Sequence, residues 1–291
     1  MLMVIKLIIE ESMVKKAQNY SVELKTILSR YGIKLGKKLG QHFLVDQGVL
    51  DRLLDAAELK SGDVVLEVGA GMGVITVELA QQVKKVIAVE KDRNLIPALE
   101  QVLQEAGVSH KVEVVNCDIL EFGNLPPKVV GAIPYQITSP LIHKFLKRET
   151  LPELIVFIIQ NEVAEKIVAV PPRACYLSNF IQSLALVELV GKPIPSTAFW
   201  PQPKVKSRVI KLKTTPDVVK AQGSKFKSRD EIDKWERFLH RGFRNPRKML
   251  RNEFDEEILL ESGIDPQSRP QELMLSQWES LFFLLGSVNN D

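Results

Sequence analysis

A glycine-rich turn and two acidic residues carry the first chemistry that the sequence suggests. The segment Glu67–Gly73, EVGAGMG, lies between an apolar run and a helical pattern, where glycines let the backbone approach a ligand closely. Val74 stands where the dinucleotide-binding pattern has its third glycine, so the spacing is GxGxG. Glu90 ends the next apolar run and can accept bonds from ribose hydroxyls. Asp118 ends the run after that and can meet an adenine amino group.

Each of these features also has a purely structural interpretation. A glycine-rich turn can be no more than a tight connection between a strand and a helix, and an acidic residue after a strand is often a helix cap or part of a solvated turn. Open α/β sheets bind ligands at the carboxyl ends of their strands. Three such features in succession therefore favour a nucleoside site.

The elements that would position these residues alternate between strand and helix. Runs of Val, Leu and Ile that are too apolar to alternate predict strands buried on both faces. The predicted strands are DVVLEVG, KVIAVE, KVEVVNCD, KVVGAIP and ELIVFIIQ. The predicted helices are SVELKTILSRYGI, VLDRLLDAAEL and residues 74–82, 92–106, 139–147 and 161–169. The alternation predicts an α/β protein with a doubly wound, Rossmann-like sheet, and LALVELVGKPIPSTAFWPQPKVKSRVIKLK predicts a hairpin-like end with antiparallel character.

The periodicity changes after residue 213. TTPDVVKAQGSK has the composition of a linker, and from about residue 228 the pattern is helical only. The opening MLMVIKLIIEE is too short and too soon followed by charge for a signal peptide or a membrane span. We therefore predict an N-terminal extension (1–21, with Met13 as an alternative start), an α/β domain (22–213) and a small all-helical domain (214–291).

Composition excludes several other classes of protein. The chain has 39 basic and 36 acidic residues, a formal net charge of +3, so affinity for a polyanion must depend on where the charges lie. Cys117 and Cys175 have neither CxxC nor Cys/His spacing, and the four histidines are scattered. We therefore expect no disulfide framework, no metal site and a cytoplasmic location.

A succession of motifs makes the interpretation more specific. The motifs are KKLGQHFLVD, EVGAGMG, IAVEKD, NCDIL, IPYQITSPL, IIQNEVAEKIVA, AFWPQPKVKS and FRNPRKMLRN. From about residue 22 to 285 the chain resembles the ribosomal RNA adenine N6-dimethyltransferases that modify the small subunit. The first four motifs are similar to those of any S-adenosylmethionine-dependent methyltransferase of this fold, whereas GQHFLVD and AFWPQPKVKS are more specific. RNPRKMLRN and RPQELMLSQWESL resemble the small-subunit branch more than the large-subunit relatives that confer macrolide resistance.

The resemblance implies a role for individual residues at the cofactor. His42 and Leu44 would close over the adenosine and methionine ends of S-adenosylmethionine, and Gly69 and Gly71 would line its floor. In the same way Glu90 would hold the ribose and Asp118 the adenine, with Ala132 beside the methyl group. The alternatives are a half-buried loop histidine at position 42 and a core leucine at position 44.

The turn IPYQ raises a question about catalysis. In the family that the chain resembles, an asparagine precedes this turn, and its amide oxygen and the proline carbonyl accept the two hydrogens of the adenine amino group. Here the position is Ala132, so the amide is missing while the carbonyl of Pro134 remains. Gln136 is the nearest amide, on the far side of the turn, and we do not expect it to substitute. Tyr135 and Phe199 are the candidate stacking partners of the flipped adenine, although either can be a core residue.

The predicted RNA contacts lie elsewhere in the sequence. Between Lys225 and Arg251 there are ten Lys or Arg and four Asp or Glu, with Trp235, Phe238 and Phe243 interleaved. Such a segment suits phosphate contacts, while its aromatic residues are expected in the domain core. The further basic residues that we assign to this surface are Lys34, Lys37, Lys38, Lys204, Lys206 and Arg208.

Three functions are therefore considered. The first is a monomeric small-subunit rRNA adenine N6-dimethyltransferase acting on a ribosomal particle in ribosome biogenesis. The second is a catalytically weak or inactive assembly factor that retains the cofactor pocket but has Ala132 in place of the asparagine. The third is a large-subunit adenine methyltransferase, which the C-terminal motifs disfavour.

Overall fold

The computed structural model describes residues 41–123, 125–148, 150–214, 226 and 228–288. Several sequence-based expectations fall outside these ranges. They are the extension 1–21, the helix at SVELKTILSRYGI, the lysines at 34, 37, 38 and 225, and the linker TTPDVVKAQGSK apart from Thr214. These expectations stay predictions.

The strands form one large and one small sheet. They are β1 Phe43–Leu44, β2 Val64–Val68, β3 Lys85–Glu90, β4 Val112–Asn116, β5 Lys128–Ala132, β6 Leu154–Gln160, β7 Leu186–Ile194, β8 Phe199–Trp200 and β9 Ser207–Lys213. The seven-stranded sheet has the order β4-β3-β2-β5-β6-β9-β7, and β1 pairs with β8 in antiparallel register. The pairs β2–β3, β3–β4, β2–β5 and β5–β6 are parallel. This architecture confirms the predicted doubly wound class.

The strand order also locates the ligand edge of the sheet. From β2 the chain adds β3 and β4 on one side and then crosses to the other side with β5, so the direction of winding reverses between β2 and β5. Open α/β sheets bind ligands at the carboxyl ends of the strands at such a reversal. The candidate residues after β2, β3, β4 and β5 therefore meet at one edge.

The helices follow the predicted alternation with a few differences. They are α1 Gln47–Ala56, α2 Val74–Gln82, α3 Ile96–Glu105, α4 Thr138–Leu146, α5 Asn161–Ile167, α6 Tyr176–Gln182, α7 Arg229–Gly242, α8 Glu256–Glu261 and α9 Leu275–Val288. The helix predicted to start at residue 92 begins with a 3₁₀ turn at Arg93–Leu95, capped by Asp92. We did not predict α6.

One strand boundary corrects an expectation. We predicted a strand ending on Asp118, but β4 ends at Asn116. The Asn116 amide donates to the backbone oxygen of Glu90 at 2.8 Å, and Asp118 then accepts from the Leu120 amide at 2.9 Å. The ladder between β3 and β4 ends at Asn116, so Asp118 lies just beyond the strand.

The sheet is buried because its strands are apolar on both faces. Residues 154–159 of β6 are all buried, as the unbroken apolar run predicts. Helices cover the sheet through amphipathic faces, and Leu53, Leu79 and Leu99 from α1, α2 and α3 are fully buried. The hydrophobic core thus holds the carboxyl edge of the sheet in place.

The chain divides into two compact units. Of the residues that the structure describes, one unit comprises 41–123, 125–142, 152–161 and 189–212, and the other comprises 143–148, 150–151, 162–188, 213–214, 226 and 228–288. Residues 143–151 and 162–188, which we assigned to the α/β domain, thus group with the C-terminal helices. The division of the chain into domains at residue 213 stays a prediction.

Aromatic residues build the interior of the second unit. Trp235 of α7 is fully buried and donates from Nε1 to Ser183 Oγ at 2.9 Å. Phe238 lies 5.8 Å from Trp278, and Phe243 lies 5.1 Å from the same indole, measured between ring centroids. The expectation that these aromatic residues pack in the domain core is confirmed.

Three further findings bear on the class of protein. Among the helices that the structure describes, none is long and apolar enough to cross a membrane. The same residues contain no cluster of three or more His, Cys, Asp or Glu able to hold a metal ion. Neither Cys117 nor Cys175 takes part in a disulfide.

Candidate active site

A cavity of about 250 Å³ lies at the carboxyl edge of the sheet, within the first unit. A volume of this order is near the lower end of the range for small-molecule sites. All ten residues that the sequence nominated line it. They are His42, Leu44, Gly69, Gly71, Glu90, Asp118, Ala132, Pro134, Tyr135 and Phe199. The structure therefore brings the whole predicted site together, and the individual roles stay proposals.

The glycine-rich turn after β2 forms the floor of the cavity. Gly69 has φ 75° and Gly71 has φ 58°, in the left-handed region that favours glycine. A Cβ atom on Gly71 would lie 3.0 Å from the ring of Phe43, which packs directly against the turn. The turn therefore depends on glycine both for its backbone conformation and for its contact with the segment above it.

Glu90 ends β3 and is held by the backbone. Its Oε2 accepts from the Gly71 amide at 2.8 Å, and its Oε1 accepts from the Asp92 amide at 2.7 Å. Burial raises the pKa of the Glu90 carboxyl, and these backbone donors oppose that shift. A carboxylate has about four lone-pair positions, so Glu90 can accept further bonds from a ligand while it stays fixed.

Asp118 is bonded in a similar way. Its Oδ1 accepts from the Leu120 amide at 2.9 Å, and its Oδ2 pairs with Lys91 Nζ at 2.7 Å. Lys91 follows Glu90 directly and also lines the cavity. The ion pair keeps the Asp118 side chain at the edge of the cavity, where an adenine amino group can reach it.

The segment Gln41–Leu44 covers one side of the cavity. Gln41 Nε2 donates to Asp92 Oδ2 at 2.7 Å, and His42 Nδ1 is 2.6 Å from the carbonyl oxygen of Pro201. Because a carbonyl only accepts, the proton lies on His42 Nδ1. The His42 ring is stacked on Tyr135 with centroids 5.8 Å apart. His42 is thus a fixed wall residue, and Leu44 belongs to both the wall and the core.

The end of the cavity at β5 is less polar. Ala132 is the last residue of β5 and is partly buried. The Pro134 carbonyl accepts from the Ile137 amide at 3.0 Å, which leaves one lone pair for a ligand. The Tyr135 hydroxyl is 2.7 Å from Ser207 Oγ, so the ring has a fixed orientation. Phe199 is buried in the core cluster as well as lining the cavity.

Gln136, the nearest amide to the substituted position, also lines the cavity. It is exposed, whereas Ala132 is partly buried. An exposed amide exchanges bonds with water and is less well fixed than a wall residue. The expectation that it does not replace the asparagine stays a prediction.

Glu67 lies beneath the glycine-rich turn on β2. It is fully buried beside Thr76, whose side chain opposes the effect of burial on the pKa of the Glu67 carboxyl. Burial, with a smaller contribution from the charge of Glu90, raises the pKa of Glu67 to about 8. The carboxyl is therefore neutral at pH 7, which avoids a second negative charge under the cavity.

Four of these site features were not predicted: Gln41, Glu67, Lys91 and Ser207. All four lie inside motifs that the sequence analysis singled out, directly beside or close to nominated residues. For three of them, however, the bonding partner is remote in the sequence. It is 51 residues away for Gln41, 27 for Lys91 and 72 for Ser207. Position in a motif was therefore the available signal, and the pairing was not visible.

The basic segment of the second unit presents its charges to solvent. Arg244, Arg247, Lys248 and Arg251 are exposed, and Arg241 pairs with Glu253 at 2.9 Å. In the first unit, Lys204 and Lys206 are exposed, and Arg208 is partly buried. These side chains are accessible to a polyanion.

The doubly wound sheet with a cavity at its carboxyl edge is the arrangement of Rossmann-like proteins that bind a nucleotide-like cofactor. The sequence profile of the ribosomal RNA adenine dimethylase family matches residues 32–284. The chain therefore belongs to this family.

A relative agrees with this membership, and solved structures have a similar fold. The chain is 33% identical to Ribosomal RNA small subunit methyltransferase A of Alkaliphilus metalliredigens (strain QYMF), over 88% of this chain and 94% of that protein. A dimethyladenosine transferase from Plasmodium falciparum has a similar structure, with a TM-score of 0.74, 24% identity and coverage of 85% of this chain and 98% of that chain. The 23S rRNA methyltransferase ErmE has a TM-score of 0.66 and 27% identity, with coverage of 84% and 99%.

Proposed function

We propose that this protein transfers methyl groups from S-adenosylmethionine to N6 of adenines in small-subunit ribosomal RNA, forming dimethyladenosine during ribosome biogenesis. The observation that carries the proposal is the order of groups along one edge of the sheet. Asp118 follows β4, Glu90 ends β3, the glycine-rich turn follows β2 and Ala132 ends β5, and these four strands are neighbours in that order. The series runs from an adenine acceptor through a ribose acceptor to the methyl-transfer position.

The dimensions support this assignment. Neighbouring strands lie about 4.8 Å apart, so the line from β4 to β5 spans three intervals, or about 14 Å. A nucleoside extended by an amino-acid chain fits along this line. In the proposed orientation Asp118 binds the adenine, Glu90 the ribose, and Gly69 and Gly71 pass close to the methionine part.

Catalysis in this site depends on positioning. S-adenosylmethionine supplies a methyl group that is already activated, so the protein has to hold the adenine amino nitrogen in line with it. That nitrogen is a poor nucleophile because its lone pair is delocalised into the ring. The remaining lone pair of the Pro134 carbonyl can accept one of its hydrogens and draw it towards a nucleophilic geometry.

The aromatic wall binds the target base. Removing an adenine from its stack costs a few kcal/mol, and stacking on an aromatic ring returns about 1 to 3 kcal/mol. Tyr135, held by Ser207, is the best placed ring for this contact because it is partly exposed to the cavity. Phe199 supports the wall from the core side.

The substrate assignment rests on the relatives and on charge. The name of the Alkaliphilus relative specifies the small subunit, and the exposed basic residues of the segment 244–251 suit phosphate contacts. We propose a folded rRNA within a ribosomal particle as the partner, and a cytoplasmic monomer as the active form. Light scattering coupled to size-exclusion chromatography tests the monomer.

Methyl transfer to isolated subunits tests the function. Purified protein is incubated with S-adenosylmethionine labelled in the methyl group and with small or large subunits from cells that lack the dimethyladenosine modification. Incorporation into small subunits, recovered as dimethyladenosine after digestion, is expected. Incorporation only into large subunits would instead identify a large-subunit methyltransferase.

A second function is favoured by one specific observation, the alanine at position 132. A protein that binds cofactor and small subunits but transfers no methyl group under any of these conditions would be an assembly factor. We call the end of the cavity that is lined by Glu90 and Asp118 the cofactor end, and the end at Ala132 and Pro134 the target end. The presence of both acidic residues at the cofactor end favours an active enzyme over an assembly factor. Binding without transfer is the result that would reverse this choice.

A further inference from the structure

Gln41 presents a buried acceptor at the cavity. Its Nε2 donates to Asp92 Oδ2 at 2.7 Å. A carboxylate can only accept, so the NH₂ group must face Asp92 and the oxygen must point away from it. That oxygen, Oε1, is buried and bonds to no residue that the structure describes, although Gln41 lines the cavity. A buried acceptor without a partner is unfavourable, so this atom suits a hydrogen-bond donor on a ligand.

The position of Asp92 indicates which part of the ligand Gln41 would contact. Asp92 follows β3, and its backbone amide donates to Glu90 Oε1 at 2.7 Å. Gln41 and Glu90 are therefore bonded to the same residue. Ala132 ends β5, which is two strand intervals from β3, or about 10 Å. The oxygen of Gln41 thus belongs to the ribose end and not to the methyl-transfer end.

We propose that Gln41 is a ribose-binding residue, whose Oε1 accepts a hydrogen bond from a ribose hydroxyl of the cofactor. The assignment rests on the proposed use of S-adenosylmethionine at this cavity. A ribose carries two neighbouring hydroxyl donors, and two acceptors, the charged Glu90 and the neutral Gln41, satisfy both. Asp92 is the positioning residue that fixes the amide.

The contact has a consequence for the covering segment. Gln41 precedes His42, which is itself bonded to Pro201 and stacked on Tyr135. A ribose bound to Gln41 therefore holds the segment through a contact separate from those of His42. Cofactors that lack one ribose hydroxyl lose this contact.

Calorimetry with modified ligands tests the proposal. The ligands are S-adenosylhomocysteine and its 2′-deoxy and 3′-deoxy ribose analogues. The variant is Gln41→Met, which has similar length but no acceptor. The matched control is Gln47→Met: Gln47 donates to Asp51 at the same distance of 2.7 Å and also has a buried Oε1 without a described partner, but it lies on α1 outside the cavity wall.

Gln41→Met is expected to bind S-adenosylhomocysteine about three- to tenfold more weakly than the parent, the effect of one neutral hydrogen bond. The parent should lose affinity for both deoxy analogues. One of the two analogues lacks the hydroxyl that Gln41 contacts. Gln41→Met should bind that analogue as tightly as the parent does, because the hydroxyl and its acceptor form a single contact. Gln47→Met should bind all three ligands as the parent does.

Two results would overturn the assignment of Gln41 alone. One is that the parent binds S-adenosylhomocysteine and the Gln41→Met variant binds it equally tightly. The other is an equal loss in Gln41→Met for all three ligands, which would indicate packing and not a hydroxyl contact. The parent measurements need no variant: undiminished affinity for both analogues also contradicts the proposal. A parent that binds no S-adenosylhomocysteine would contradict the proposed function itself.

Discussion

The cofactor end and the target end of the cavity differ in the polar side-chain groups that they offer to a ligand. At the cofactor end, Glu90 and Asp118 each offer a carboxyl group that is fixed by a backbone amide. At the target end, Ala132 offers no polar side-chain atom, and one lone pair of the Pro134 carbonyl is already used. In the proposed orientation, binding of the cofactor and presentation of the target base would therefore depend on separate groups.

This difference separates affinity from rate. In the proposed orientation, groups at the cofactor end would contact parts of the ligand that do not react, so they would determine binding. Groups around Ala132 would contact the reacting nitrogen, so they act mainly in the transition state. A site with a complete cofactor end and a reduced target end is expected to bind cofactor well and to react slowly.

Ala132→Asn is expected to have the largest effect. The asparagine oxygen would accept a hydrogen of the adenine amino group as the nitrogen becomes nucleophilic. The rate of methyl transfer to small subunits should rise by on the order of ten- to a thousandfold, by analogy with a restored oxyanion-hole donor. Affinity for S-adenosylmethionine should change little. Single-turnover kinetics with labelled cofactor measures the rate, and calorimetry the affinity.

Two controls make this result specific. Ala132→Leu fills the same position without an acceptor and should not be faster than the parent. Gln136→Met in the parent should leave the rate within about threefold, because we expect no role for that amide. A fully active parent with Ala132→Asn no faster would mean that the Pro134 carbonyl and stacking are sufficient.

Glu90→Ala tests the contribution of the cofactor end to cofactor affinity. Removing the charged acceptor should weaken S-adenosylmethionine binding by about 1 to 3 kcal/mol, because the ribose hydroxyls lose it and the Gly71 and Asp92 amides lose their partner. Glu113→Ala is the matched control, since Glu113 is an exposed carboxylate on the neighbouring strand β4, outside the cavity. Unchanged affinity in calorimetry would remove Glu90 from the cofactor site.

The sequence was sufficient for the fold class and for ten of the residues that line the cavity. Unbroken apolar runs are typical of parallel strands, and their carboxyl ends have to share an edge, so the glycine-rich turn, Glu90 and Asp118 could be placed together without coordinates. Ala132 was assigned to the site through the resemblance to the family. The turn at Asn116 was missed because it depends on one side-chain bond to another strand. Gln41 and Ser207 were missed as site residues for the same reason, since a bond between remote residues leaves no local periodicity.

Glu67→Gln tests how the buried carboxyl beneath the cofactor end affects the pH dependence of stability. The pKa of Glu67 is about 8 in the folded protein against 4.5 for the ordinary carboxyl, and burial is the main cause. From about pH 4.5 to 8 the unfolded chain releases a proton that the folded protein retains, so the contribution of Glu67 to stability is lost as pH rises through this window. Glutamine does not titrate and is free of this loss.

Urea unfolding of both proteins at pH 5 and pH 8 measures the difference. The free energy of unfolding of the parent should fall relative to the variant by on the order of 3 kcal/mol between these values. All other titrating groups are common to both proteins, so the change in the gap isolates Glu67. A gap that is the same at pH 5 and pH 8 would mean that Glu67 is ionised in the folded protein.

The smallest expected effect concerns neither end of the cavity. Arg244, Arg247 and Arg251 are exposed in the second unit, and replacing all three by Gln should weaken binding to small subunits by about tenfold at moderate salt. Binding with fewer phosphate contacts releases fewer counterions from the RNA. The slope of log affinity against log salt should therefore flatten by up to about three. Filter binding over a series of salt concentrations measures both quantities.

The comparison with charge-matched surface residues decides what this segment contributes. Lys60, Lys84 and Lys85 are exposed in the first unit, and the latter two lie at the start of β3, opposite the carboxyl edge that forms the cavity. Replacing these three by Gln removes the same charge but should leave the salt slope as in the parent. Equal slopes for both triple variants would mean that binding depends on net charge alone. Cofactor affinity should be unchanged in either variant, because none of the six residues lines the cavity.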